Sequence, residues 1–192
     1  SSAFVTVLLK SFAGHALRAY GDQGDALITQ PAAFVAALNE HLLAQHLEKH
    51  LTIFYGVLDR PTGTLTYCSA GQFPYPLLKT PEGTRWLEHR GFAVGLFGFA
   101  TWEQTTLALP ADFTLTLASD GVLEAQVATL GDDLVAREGH LLATVATQDL
   151  SLEALAGALG LLGTEPPTEG APGPGLPDDA ALLTLSRRPR HE

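Results

Sequence analysis

Two acidic steps stand far apart in this chain. Ser119-Asp120-Gly121 closes one apolar stretch, and Asp178-Asp179 opens another. Carboxylates where strands begin or end are favourable metal ligands, because the ladder fixes the backbone while the side chain still reaches a cleft. Together they suggest a divalent metal site assembled from distant sequence. Each step also has a plainer reading. Asp-Gly is a common turn dipeptide, and Asp178-Asp179 suits a solvated loop end, although adjacent carboxylates repel and a cation relieves that. Alternation groups Asp178 with Ala180 and Thr184, and Asp179 with Leu183 and Leu185, so Asp178 is the better ligand candidate.

Strand alternation from Phe113 to Ala118 puts Phe113, Leu115 and Leu117 on one face and Thr114, Thr116 and Ala118 on a smaller, more polar one. If the extended backbone persists, Asp120 emerges on the polar face, with Gly121 free to turn sharply or to approach a ligand closely. His41, His46 and His50 invite a zinc reading, since His46 and His50 are spaced for one helix face. Histidines near a helix C-terminus are favoured by the dipole, however, and no local acidic or cysteine partner completes a tetrahedral set. Gly91-Phe-Ala-Val-Gly-Leu-Phe-Gly98 lacks the lysine and the strand-loop-helix setting of a phosphate cradle, and reads as a loop over a sheet.

These residues need elements to place them. Phe4, Val7, Leu8, Phe12 and Leu17 predict a well-buried helix over 3–19, stopped by Gly21. Pro31 opens a second helix to about Leu47, carrying Phe34, Val35, Leu38, Leu42 and Leu43. The period then changes. Leu51–Leu58, the turn Asp59–Gly63 and Thr64–Ser69 make a β-hairpin, and further strands are expected at Tyr75–Leu78, Thr84–Leu87, Glu103–Leu109 and Phe113–Ala118. Helices follow at Asp132–Ala146 and Leu152–Leu162, the second with Ser151 as N-cap. The Pro/Gly segment 163–177 is a flexible loop, Ala180–Leu185 is the last strand, and Arg187, Arg188 and Arg190 form a short basic tail. The order is that of an α+β fold with antiparallel sheets and helices over the sheet faces.

With 192 residues, 46% of them hydrophobic, the chain can bury a sizeable core and is expected to form one domain over 1–192. A formal net charge of −10 argues against nucleic-acid partners, which require clustered Lys and Arg. Cys68 is the only cysteine. It excludes an intrachain disulfide and reads as a buried strand thiol without a basic neighbour to activate it. No apolar run approaches the ~20 residues of a membrane span, and the first residues lack the basic region and cleavage pattern of a signal peptide. A cytoplasmic location without membrane association is expected. The chain has no methionine, including at position 1, so Ser1 is read as the start of a fragment.

Taken in order, Phe54-Tyr-Gly-Val-Leu-Asp59, Gly63-Thr-Leu-Thr-Tyr-Cys-Ser-Ala-Gly71 with Pro74, Val94-Gly-Leu-Phe97, Ser119-Asp-Gly-Val-Leu-Glu-Ala125 and Asp178-Asp-Ala-Ala-Leu-Leu183 resemble the SpoIIE/RsbU-type serine phosphatases. These are the bacterial branch of the PPM-type, metal-dependent Ser/Thr phosphatases. The resemblance covers nearly the whole chain apart from the proline-rich loop. It implies an α-β-β-α sandwich of two antiparallel sheets flanked by helices, with the N-terminal part missing, and a site with two Mn²⁺ or Mg²⁺ ions. It assigns Asp120 and Asp178 as catalytic metal ligands, with Asp179 beside them, and Gly121 and Gln72 to substrate handling. Two such ions activate water for in-line attack on phosphorus without a covalent intermediate.

The same resemblance implies a phosphorylated regulatory protein as substrate, of the anti-sigma-factor-antagonist type, and allows an upstream receiver domain as in response regulators of the Pseudomonas RssB kind. Two departures stand out. The family's Asp-Val-Ser-Gly-His-Gly-like segment, with the aspartate that bridges both metals, falls immediately before Ser1. Gln72 replaces the histidine usual in that position. The competing expectation is therefore a non-catalytic interaction module with the phosphatase fold. As it stands, the fragment is expected to be inactive and to bind metal weakly, since two cations would face each other with less compensating charge.

Overall fold

The computed structural model describes residues 2–46, 49–147, 151–162 and 179–188. The Pro/Gly segment 163–177, Asp178 and Arg190 lie outside the described residues. The chain divides into two compact units, one comprising the residues up to Gln72 with His89–Leu109, the other Phe73–Glu88 and the residues from Pro110 onward.

The first unit opens with helix α1 (Ser2–Gln23), a 3-10 turn at Ala26–Thr29 and helix α2 (Pro31–Ala44). Pro31 occupies the first helical turn, where its missing N–H is no loss. Strands β1 (Ile53–Asp59) and β2 (Thr64–Ala70) form the expected hairpin. Of the strands that follow, β3 (Leu77–Thr80) and β4 (Gly83–Trp86) belong to the second unit, while β5 (Thr105–Ala108) pairs antiparallel with β2. The first sheet therefore has the order β1-β2-β5. α2 turns Phe34, Val35, Leu38 and Leu42 into a core shared with Cys68, Ala70 and Val94. Tyr55 stacks on Phe34 with ring centroids 4.1 Å apart, and its hydroxyl donates to the Ile28 carbonyl at 2.8 Å.

α1 corrects one expectation. Its inward stripe is Leu8, Leu9, Phe12, Ala13 and Ala16, so Leu8 and Phe12 face the core as expected, while Val7 and Leu17, which fall off that stripe, are 62% and 60% exposed. α2 also stops short, at Ala44 rather than Leu47, because Gln45 and His46 leave the helical ladder for a turn.

Cys68 is fully buried, as expected of a strand thiol, and burial pushes its pKa from 9.0 up to about 11. The neutral thiol is thus favoured by folding. Its contribution is fully present below pH 9.0 and is lost as pH rises through about 11. Urea unfolding of the wild type and Cys68→Ala across that window should show the wild type losing stability relative to the variant. Parallel curves would contradict the assignment.

In the second unit β3, β4, β6 (Phe113–Ala118) and β7 (Leu182–Arg187) form an antiparallel sheet of order β4-β3-β6-β7. Between β6 and β7 run α3 (Asp120–Glu124), α4 (Val127–Leu130), α5 (Leu134–Thr147) and α6 (Leu152–Ala158). The short α3 and α4 are absent from the sequence-based expectation. α5 begins two residues later than expected because Asp133 caps it, its carboxylate accepting from the N–H groups of Val135 and Ala136 at 3.0 and 3.2 Å. Ser151 caps α6 as anticipated, accepting from Ala154 N–H at 3.2 Å. The helix ends at Ala158 rather than Leu162, where Gly160 turns with φ +72°.

The β6 faces also differ from expectation. Ala118, assigned to the polar face, joins Leu77, Val122, Leu123, Leu141, Val145, Leu155 and Leu159 in the unit's core, and Thr116 is buried beside it in the strand. Small side chains there leave room for helices to lie close to the sheet. Nor is Arg187 part of a tail. It ends β7, with its guanidinium donating to the carbonyls of Ala111 and Pro110 at 3.2 and 2.7 Å and lying 5.6 Å from the Phe113 ring centroid.

Candidate active site

The candidate site forms where β6 hands over to α3 and the chain enters β7. β6 and β7 pair in register from Phe113↔Arg187 to Ala118↔Leu182, so the residues after Ala118 and before Leu182 are carried to one end of the sheet. Ser119 remains extended, with φ −82° and ψ 165°, and Asp120 is the first residue of α3. Asp120 is therefore neither in a strand nor in a simple turn. Its carboxylate sits in the first helical turn, where the backbone dipole favours negative charge.

Ser119 holds the two acidic steps together. Its N–H donates to the Ala181 carbonyl at 2.9 Å, its hydroxyl oxygen accepts from Ala181 N–H at 2.8 Å, and the hydroxyl donates to the Asp179 carbonyl at 3.3 Å. The side chain does not cap α3. It acts across the sheet end instead, extending the β6–β7 pairing by one step. Ser119→Ala removes the side-chain half of this bridge and is expected to lower stability by about 1–2 kcal/mol, measured by urea denaturation. An unchanged midpoint would count against the bridge.

Gly121 completes the junction. A β-carbon there would lie 2.5 Å from the Asp179 carbonyl oxygen, 2.9 Å from its carbonyl carbon and 3.2 Å from Ala180 Cα. Glycine is required by this close backbone approach rather than by an unusual φ. Its N–H donates to the Asp120 carboxylate at 3.1 Å. Asp120 and Asp179 are both exposed, and Gly121 is buried between their backbones. Of the residues anticipated from sequence, the fold thus brings Asp120, Gly121 and Asp179 to one junction. Asp178 adjoins it in sequence but lies outside the described residues. Gln72 follows β2 at the end of the first unit, after Gly71, whose φ of +70° turns the chain against Ala93. The bridging role of Ser119 was not read from the sequence. A serine at a strand end reads equally as an N-cap.

The carboxylate oxygens at this junction are hard donors, suited in kind to Mn²⁺ or Mg²⁺. Among the described residues, no group of three or more His, Cys, Asp or Glu side chains gathers at one point. Among the same residues no helix is long and apolar enough to cross a membrane.

The family model described as Stage II sporulation protein E (SpoIIE) matches residues 1–188. The chain belongs to this family. Among curated proteins, Protein IcfG of Synechocystis sp. is 29% identical over 105 residues, which make up 54% of this chain and 17% of that protein. Among solved structures, the RsbU and RsbW domains of Rv1364c from Mycobacterium tuberculosis align with a TM-score of 0.62 and 24% identity, covering 92% of this chain and 46% of that one. The SiaA-PP2C domain of Pseudomonas aeruginosa aligns with a TM-score of 0.59 and 17% identity, covering 97% of this chain and 70% of that one. This SpoIIE-family chain therefore spans less than half of the mycobacterial structure and about a sixth of the cyanobacterial protein. It has the PPM-type phosphatase fold, a mixed α+β arrangement with two antiparallel sheets and helices. Phosphatases of this family are metal-dependent, using Mn²⁺ or Mg²⁺.

Proposed function

We propose that this chain is a metal-dependent protein serine/threonine phosphatase domain acting on a phosphorylated regulatory protein, of the kind that antagonises an anti-sigma factor. The observation that carries this reading is the Ser119–Gly121 junction, which seats the Asp179 backbone against the Asp120 step through an approach that tolerates only glycine. Asp120 and Asp178 would hold the cation, with Asp179 beside them. When bound there, Mn²⁺ or Mg²⁺ supplies Lewis acidity that offsets charge on phosphoryl oxygens and lowers the pKa of water.

The chain's own residues perform the rest. Ser119 and Gly121 hold the backbone of residues 179–181 against the start of α3, whose first residue is Asp120. Gln72, at the end of β2, is assigned to substrate handling. An upstream receiver domain would place this activity under phosphorelay control, and a cytoplasmic location would suit such a substrate.

The test uses the natural full-length protein and a phosphoserine peptide. Phosphate release that depends on added Mn²⁺ is expected, together with calorimetric binding of the metal at millimolar concentration or below. A second reading, a non-catalytic interaction module, is favoured by Gln72 in a position where histidine is usual. It is the correct one if the full-length protein binds neither Mn²⁺ nor Mg²⁺ at millimolar concentration.

A further inference from the structure

The first unit carries a cavity of about 460 Å³ that the phosphatase reading does not use. Leu42, Leu43 and Leu96 line its apolar part, and His46, Lys49 and His50 supply its polar part. Among the described residues no Asp or Glu lines it, although the chain as a whole carries a net charge of −10.

The walls of this cavity are built. Asn39, only 3% exposed, spends its side-chain amide on the facing loop, accepting from Gly95 N–H at 2.7 Å and donating to the Phe97 carbonyl at 3.2 Å. Leu51 and Val94 exchange both backbone hydrogen bonds at 2.9 Å. Gly95, with φ +84°, approaches so closely that a β-carbon there would lie 2.5 Å from the Lys49 carbonyl oxygen. The loop is thus pinned to α2 through Asn39 and to residues 49–51 through Val94 and Gly95.

His46 stands out in this frame. Its φ of +51° is the only positive value at a non-glycine among the described residues. Its N–H donates to the Leu43 carbonyl at 3.0 Å, closing the end of α2 in a position where glycine or asparagine is the usual occupant. A non-glycine residue in this region carries a backbone cost that glycine avoids. His41, by contrast, packs against the Phe12 ring, with centroids 5.5 Å apart, and is not among the residues that line the cavity.

The donor chemistry selects the ligand. Lys49 brings an ammonium, which repels a cation and donates hydrogen bonds, and each imidazole presents an N–H in either tautomer. Three donor groups suit the three terminal oxygens of a phosphoryl group better than the two of a carboxylate. The leucine surface and the volume accommodate an apolar body attached to it. We propose that this cavity binds a phosphomonoester carried on a small apolar body, with His46, Lys49 and His50 donating to its oxygens and Leu42, Leu43 and Leu96 covering the body.

The experiment titrates phenylphosphonate, whose P–C bond resists phosphatases, into the 192-residue chain while following the imidazole signals of His46 and His50 by NMR. Both signals should move, and inorganic phosphate and benzoate should each require at least about tenfold higher concentration, because each lacks one half of the recognised chemistry. Lys49→Gln should weaken phenylphosphonate about tenfold with an unchanged thermal midpoint. His46→Gly should raise the midpoint, since the positive φ then costs nothing, and yet bind more weakly; a merely structural histidine would not combine the two. A peptide bearing the phosphonate analogue of phosphoserine identifies the source: tighter binding than phenylphosphonate indicates a phosphorylated protein side chain, and weaker binding a small molecule. The proposal is overturned if neither imidazole moves up to about 10 mM phenylphosphonate, if benzoate binds as well, if Lys49→Gln binds undiminished, or if Zn²⁺ rather than phosphonate perturbs the two signals.

Discussion

Asp120→Asn should lower kcat/KM for Mn²⁺-dependent phosphoserine hydrolysis by the full-length protein at least about a thousandfold, equivalent to about 4 kcal/mol of transition-state stabilisation. The substitution keeps the side chain's shape and leaves an oxygen to accept from Gly121 N–H, which it does at 3.1 Å in the native chain. It removes the negative charge that a hard cation requires. Because Asp120 is exposed, the thermal midpoint should move little, which separates loss of chemistry from loss of fold. Metal affinity measured by calorimetry should fall in parallel with activity. A variant that retained full activity would sink the phosphatase assignment of this residue.

Gly121→Ala should be costly in a different way. All three atoms that an added β-carbon would meet, the Asp179 oxygen and carbonyl carbon and Ala180 Cα, at 2.5, 2.9 and 3.2 Å, belong to backbone. No flexible side-chain end can swing aside, so the entry to β7 must move. Overpacking of this kind costs about 1–3 kcal/mol, readable as a lowered urea midpoint. The displacement also carries Asp179 away from Asp120. A misplacement of about 1 Å in a positioned site is worth about a hundredfold in rate, so activity should fall well beyond what the loss of folded protein explains. Ser119→Ala, which loosens the same junction without a clash, should cost less on both measures. Should Gly121→Ala match the wild type in stability and rate, the close approach would not be a functional constraint.

These two residues also show where sequence reading works and where it stops. The strand Phe113–Ala118 was legible because alternation is local, and Ser151 because a cap and its helix are neighbours in the chain. The same holds for the β1–β2 hairpin, whose turn residues lie between its strands. The start of α3 at Asp120 was not legible. Ser-Asp-Gly serves turns, caps and site loops alike, and the choice among them depends on what lies across the sheet. α1 erred in a related way. Its apolar residues marked a helix, but its inward stripe was selected by the elements it packs on, leaving Val7 and Leu17 outside.

Residue chemistry and order along the chain were enough to establish the α+β class and the family, and to single out the two acidic steps as candidates, because these depend on side-chain type and near neighbours. The antiparallel β6–β7 register, the serine bridge to Ala181 and the need for glycine at 121 arise between segments about sixty positions apart. Such contacts leave no periodic trace in the chain. They appear once the sheet brings its two strands together and the backbones at its end come within van der Waals reach.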